Sequence, residues 1–266
     1  MSSLNHMLGV LDLFTEAEPI WTINEATESL GQSRSTIYRY FRALTRAGLL
    51  VPISSGAYAL GPFIVKLDRQ IRLSDPLLRV APALMAKLRQ KSGNVVILGR
   101  FFHTSVLCIH QEGDPDDIAV TFARGRTMPL FRGATPKVIL ANLPVRVLKD
   151  IYLAHGEKIR EAGLGGDWNE FRANLRKIRK AGFYVTPGGE VDHAVTGIAA
   201  PIFDKQKEIL ASVTLAVSER HCTPEMVESF VEMVRATAQE ITEEVARLED
   251  SLGSKTADNF APAAAG

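Results

Sequence analysis

Residues 33–50 read SRSTIYRYFRALTRAGLL, with arginines at 34, 39, 42 and 46 and no acidic residue. The chain around this stretch is almost neutral: its 31 Lys+Arg and 30 Asp+Glu leave a net charge of +1 over 266 residues. Ser33 is an N-cap residue, Gly48 a terminator, and Ile37, Phe41 and Leu44 between them fall within an arc of ~80° on a helical projection, the spacing of a buried stripe. With Ile37 set at 0°, Ser35, Arg39, Arg42 and Arg46 lie between ~140° and ~200°, opposite that stripe. Arg34 and Tyr38 flank them at the amino-terminal end. The pattern predicts a helix seated on its apolar side, with a row of guanidinium groups on the other.

The neighbouring sequence predicts what the helix is seated on. In HMLGVLDLFTEAE, Leu8, Leu11 and Phe14 recur at three-residue steps and place a first helix before Pro19. A second starts at TINEATESLG, where Thr22 and Glu25 form a capping box and Gly31 ends the element. Only Gly31 and Gln32 separate it from Ser33. Downstream, LLVPI and YALG are short extended runs joined by SSGA, a β-hairpin with Ser54 and Ser55 at its tip. Three helices followed by a hairpin make a winged helix-turn-helix over residues 1–61.

Residues 62–92 read as a helical linker, with Asp75-Pro76 opening a second segment and Pro82 expected to kink it. From residue 93 to 250 apolar runs alternate with capped helices. VVILGRFF, SVLCIHQ, IAVTFAR, GFYV, TGIAAPIF and ILASVTLAV read as strands; Thr135-Pro136, Asp167 with Glu170, and Thr223-Pro224 each open a helix. The last helix is expected to end near Asp250, leaving 251–266 as a disordered tail. The fold class is α+β, with a mixed α/β domain after the winged helix and linker.

Composition limits the functional classes. The chain is 46% hydrophobic and 23% charged, ordinary for a globular protein. No run approaches the ~18 apolar residues of a membrane span, and the start lacks a signal-peptide pattern. Cys108 and Cys222 are far apart and in no ligand spacing, which argues against a disulfide framework or thiolate metal site and fits a reducing cytoplasm. GxSxG, GxxxxGK[ST] and HExxH are absent, so a ligand-binding α/β enzyme is the weaker alternative. EVDH, with Glu190, Asp192 and His193, invites a metal reading. Its spacing matches no dense motif, His103, His110, His155 and His221 add no pattern, and the segment reads as a polar loop with Glu190 toward backbone or solvent. No metal or cofactor is expected.

Positive charge gathered on one helix suits a duplex. Such a helix fits the major groove, arginine donates two parallel hydrogen bonds to guanine, and small hydroxyls reach phosphates or base edges. Asp12, Glu16, Glu18, Glu25 and Glu28 precede it without a lysine or arginine among them, so the charge is segregated onto one element. Ser33, Arg34, Ser35, Thr36, Tyr38, Arg39, Arg42 and Arg46, with Ser54 and Ser55 on the hairpin, are the candidate DNA contacts; Tyr38 fits a groove contact or packing against the wing equally well. A winged helix that binds another protein is the competing interaction class.

LGVLDLF, STIYRYFRALTRAGLL and YALG resemble the DNA-binding domain of the IclR-type bacterial transcriptional regulators. GRTMPLFRGATPKVILANLP resembles that family's loop and helix beside a ligand pocket, and IRKAGFYVTPGGEVDHAVTGIAAPIFDKQKEILASVTLAV its pocket strands, so the likeness runs over about residues 4–250. It implies a GAF-like effector-binding domain, homodimers formed through the DNA-binding halves and often homotetramers, and a small organic acid or aromatic effector. Carried over position by position, Gly125, Met128, Val195, Thr196, Gly197, Thr214 and Ala216 are the candidate effector residues. Where some members of the family carry a cysteine and serines, this chain has Gly197, Thr214 and Ala216, which predicts a roomier, less polar pocket and a larger or more aromatic effector.

Overall fold

The computed structural model describes residues 3–102, 104–114, 123–186, 188, 190–192, 194–219 and 222–259. It divides into two compact units, residues 1–75 and 76–266.

The first unit is built on the residues that the stripe predicts. Helix α1 (Ser3–Gly9) passes into a 3-10 turn (Val10–Leu13), and a short strand β1 (Trp21–Thr22) leads into α2 (Ile23–Leu30), α3 (Arg34–Arg46), β2 (Leu50–Pro52) and β3 (Ala57–Leu60). Thr22 caps α2 as a full capping box. Its amide donates to the Glu25 carboxylate at 2.8 Å, and its hydroxyl accepts from the Glu25 amide at 3.3 Å. The amide and then the hydroxyl of Thr22 hold the Glu25 carboxyl below its ordinary range. Gly31 ends α2 in the left-handed region at φ 61°, which costs a residue without Cβ little.

Ile37, Tyr40, Phe41 and Leu44 of α3 are buried with Val10, Ala26 and Leu50. Phe41 is fully buried, edge-on to Tyr58 at 4.9 Å and tilted against Phe14 at 6.5 Å. At the amino-terminal end the helical spacing misplaces one anchor: Val10, in the 3-10 turn, is the buried residue, and Leu8 is exposed. The hairpin forms as expected, with Leu50 opposite Leu60, and β1 adds a third strand, Trp21 opposite Tyr58.

The segment 62–92 forms two helices, the second opening at Pro76 as the Asp75-Pro76 pair predicts. Helix α4 (Phe63–Ser74) lies in the first unit and α5 (Pro76–Ser92) in the second, and Asp75, extended at ψ 115°, separates them. Pro82 lies within an unbroken α5.

In the second unit β4 (Val95–Phe102), β5 (Ser105–Glu112) and β6 (Thr127–Met128) are followed by α6 (Ala134–Asn142), α7 (Val145–Glu161) and α8 (Trp168–Ala181). The chain then returns through β7 (Tyr184–Val185), β8 (Val195–Phe203), β9 (Ile209–Ser218) and α9 (Pro224–Asn259). The strands make one antiparallel sheet in the order β6-β5-β4-β9-β8-β7. Side chains alternate between its faces. Ile97, Ala199 and Ala216 join the core under α6, α7 and α8, whereas Val96, Leu98, Ile198, Val213 and Leu215 join the core under α5 and α9. Cys108 is buried in the first of these cores, and burial pushes its thiol up to about 12.

Helix α6 begins after Gly133, not at a Thr135 cap, and the Thr135 hydroxyl turns to the sheet instead. Asp167 caps α8 as expected, accepting from the amides of Asn169 and Glu170. Helix α9 continues past Asp250 to Asn259. Most of the expected strand IAVTFAR, at 118–122, together with His103, His193, His221 and the end of the tail at 260–266, lies outside the described residues.

Replacing a fully buried Phe by Ala typically costs about 3–5 kcal/mol. Phe41→Ala is therefore expected to speed amide hydrogen exchange across 34–46 while leaving 195–218 protected. Unchanged exchange in α3 would contradict the role given to this stripe.

Candidate nucleic-acid interface and ligand cavity

Arg34, Arg39, Arg42 and Arg46 are all exposed on α3, as are Ser33, Ser35 and Tyr38. None of the four guanidinium groups takes part in an ion pair or side-chain hydrogen bond among the described residues. Arginines held in surface salt bridges would already be neutralised; these remain available to a ligand. Tyr38 is 53% exposed.

Ser33 organises the start of the helix. Its hydroxyl accepts from the Thr36 amide at 3.3 Å and lies 2.8 Å from the Thr36 hydroxyl and 3.1 Å from that of Ser35. The cap thus engages Ser33 and Thr36, and their hydroxyls serve the helix end first. Ser54 and Ser55 are exposed at the hairpin tip, where Ser55 takes a left-handed backbone at φ 66°.

The second site lies between the sheet and the start of α6. Met128, Val195, Gly197, Thr214 and Ala216 line one cavity of about 50 Å³, bordered also by Gly133, Ala134, Thr135 and Pro136 at the start of the helix. Alternation along β8 and β9 explains the selection: Val195 and Gly197 share a face, as do Thr214 and Ala216. The same alternation turns Thr196, buried, to the opposite face, so it does not line the cavity. Gly125 does not line it either; it is exposed, and its amide donates to the Cys108 carbonyl at 2.8 Å.

Two glycines let the helix approach the sheet. A Cβ on Gly197 would lie 3.2 Å from the Ala134 Cβ, and one on Gly99 would lie 2.3 Å from the Thr135 methyl. This contact brings the Thr135 and Thr214 hydroxyls to 2.6 Å, while Thr186 accepts from the Gly197 amide at 2.7 Å. The cavity is therefore small and bordered by the hydroxyl-bearing Thr135, Thr186 and Thr214. Thr135 and Thr186 add hydroxyls that the resemblance did not single out to a cavity otherwise lined mainly by apolar groups. Amides of the first turn of α6 lack helical acceptors, and helix starts of this kind favour anions.

Glu190 faces neither backbone nor open solvent. It pairs with Lys137, a cation of α6 whose side chain is 5% exposed and lies 3.4 Å from the Tyr184 hydroxyl. A lysine inside an otherwise apolar helix, three residues past the helix start, was a sequence signal for a buried acid partner. Val191 and Asp192, just after Glu190, form part of the cavity wall. Among the described residues no cluster of three or more His, Cys, Asp or Glu is placed to hold a metal ion, and no helix is long and apolar enough to cross a membrane.

Comparison with known proteins agrees with this two-part arrangement. Residues 3–53 match the IclR helix-turn-helix domain, and residues 73–243 match the bacterial transcriptional regulator IclR C-terminal domain. The chain is 23% identical over 239 residues to the HTH-type transcriptional regulator KipR of Bacillus subtilis, covering 90% of this chain and 94% of that protein. A putative IclR regulator from Silicibacter sp. TM1040 superposes with a TM-score of 0.78 at 18% identity, over 92% of this chain and 96% of that one. An IclR homologue from Microbacterium hydrocarbonoxydans, crystallised with 4-hydroxybenzoate, gives 0.76 at 21% identity, over 92% and 99%. The named relatives are regulators of transcription, not enzymes. With its helix-turn-helix and C-terminal domains both matched in order, the chain belongs to the IclR family of DNA-binding transcriptional regulators.

Proposed function

We propose that α3 is the recognition helix, that a homodimer carries two such helices to successive major grooves of a pseudo-palindromic operator, and that a small carboxylic acid bound beside α6 alters operator affinity. The single observation that carries the DNA reading is the row of arginines, exposed and unpaired, opposite a fully buried stripe. In it Arg39 and Arg42 lie near the middle of the helix and suit base edges; Arg46, a turn further on, suits a phosphate. Arg34, Ser35 and Tyr38 flank the row at the helix start, and Ser33 and Thr36 hold that start in shape. Ser54 and Ser55 on the wing suit the backbone or minor groove. The site of action is the cytoplasm, where the DNA lies.

Apolar surface supports the dimer. Helix α4 has no buried residue, with Val65, Leu67, Ile71 and Leu73 exposed, and Leu4 and Leu8 of α1 are exposed as well. A second copy covering these residues removes that surface from water.

The effector reading rests on the hydroxyls of Thr135, Thr186 and Thr214 bordering one cavity at the start of α6. A carboxylate there would accept from hydroxyls and helix amides, and its body would lie against Ile97, Met128, Val195 and Ala216. The 4-hydroxybenzoate complex of the Microbacterium homologue supports an organic acid. At about 50 Å³ the cavity suits acids of a few heavy atoms, and a benzoate-sized ligand requires it to enlarge. Strand β4 links this cavity to the linker. Ile97 lines the cavity, while Val96 and Leu98 pack on the opposite face in the core that holds Leu77, Ala81 and Met85 of α5. An effector changes DNA affinity only through its preference between two states, and α5 with Asp75 is the element through which that preference would pass.

Mobility shifts on DNA from upstream of the gene test the first part. Arg39→Ala or Arg42→Ala is expected to lose about 1–3 kcal/mol with relaxed preference at one base position if the side chain reads a base; wild-type affinity in both variants would contradict it. Calorimetry with pyruvate and 4-hydroxybenzoate tests the second. Thr214→Val is expected to weaken whichever acid binds by about tenfold, the loss of one hydrogen bond to a charged group. Equal affinity in the variant would place the acid elsewhere.

A further inference from the structure

The cavity beside α6 is not the roomiest concavity of the second unit. A cleft of about 470 Å³ opens on the outer side, between the segment Pro129–Arg132 and the carboxy-terminal half of α7. That volume lies in the range of small-molecule sites. Leu130 and Phe131 are mostly buried in its wall. Helix α7 leaves helical geometry at His155, at φ −135° and ψ 25°, and the imidazole lies over Phe131 with ring centroids 5.8 Å apart and planes at 59°. Two aromatic rings thus border one cleft.

The charges beside those rings are uncommitted. Arg132 and Lys158 are exposed at the cleft, and neither side chain has an ion pair or hydrogen bond among the described residues. Glu161, the acid of this wall, pairs with neither of them. Apolar rings flanked by two unpaired cations are complementary to a flat molecule carrying a carboxylate, and Glu161 would favour a hydroxyl donor on its far side.

We propose that this cleft is a second binding site, separate from the cavity beside α6, for an aromatic carboxylic acid. The ring packs on Phe131 and His155, and the carboxylate is held by Arg132 and Lys158. Its position gives it a route to the first site. Met128 and Gly133–Pro136 line the inner cavity, while Pro129–Arg132, the residues between them, line the cleft. One continuous segment therefore forms a wall of both, and an aromatic acid in the cleft bears directly on the start of α6.

The test uses 2-naphthoate, whose fused rings exceed the inner cavity, with the full chain in calorimetry. Wild-type protein is expected to bind it. Arg132→Ala combined with Lys158→Ala, both exposed positions, is expected to weaken it about tenfold or more, since hydrogen bonds to charged groups contribute more than neutral ones. Thr214→Val is expected to leave it unchanged, and the neutral analogue 2-naphthalenemethanol to bind about tenfold more weakly or worse. No binding by the wild type, equal binding by the double variant, or loss in Thr214→Val alone would overturn the proposal. Its failure leaves intact the Thr214-dependent binding of small acids, which the inner cavity predicts independently.

Discussion

The burial of Ile37, Phe41 and Leu44 against Val10, Ala26, Leu50 and Tyr58 is the interaction on which the DNA-binding half depends. It holds α3 from one side and fixes which way every other residue of the helix faces. Because 3.6 residues make a turn, sinking those three side chains sends Arg39, Arg42 and Arg46 outward. Nothing else needs to aim them. The helix is polar and strongly basic along its outer face, which water alone would tolerate; its position on a two-residue turn, beside a wing, is what makes that face useful.

This half was the more legible in sequence because its determinants are local. The Thr22–Glu25 capping box, Gly31, the Ser33 cap and the Leu50–Leu60 hairpin each depend on residues a few positions apart, and the structure contains all of them. Where the reading slipped, local geometry had changed type: a 3-10 turn at Val10 took over the anchoring role that helical spacing assigned to Leu8. The break in the linker was itself legible: Asp75 before Pro76 opens the second helix, as the restriction on residues preceding proline allows.

The second half was legible in its strands and only partly in its site. Alternation placed Thr214 with Ala216 and Val195 with Gly197, but it also puts Thr196 on the far face, a consequence that a list drawn by resemblance ignored. The hydroxyls bordering the cavity include those of Thr135, brought to the sheet by packing of α6 across Gly99 and Gly197, and of Thr186, brought to Gly197 where β7 pairs with β8. Such contacts join residues 79 and 11 positions apart, and no periodicity within one element reveals them. The pairing of Lys137 with Glu190 is of the same kind.

The account holds that arginine side chains of α3 meet phosphates and base edges of a duplex. The most direct measurement is the dependence of DNA affinity on salt concentration. Neutralising four or more phosphates predicts that log K falls against log [salt] with a slope of about −3.6 or steeper, at about −0.9 for each phosphate, and that alanine at Arg34, Arg39, Arg42 and Arg46 together flattens it. An affinity that ignores salt, or a slope that the four substitutions leave unchanged, would contradict the assignment of α3 to DNA.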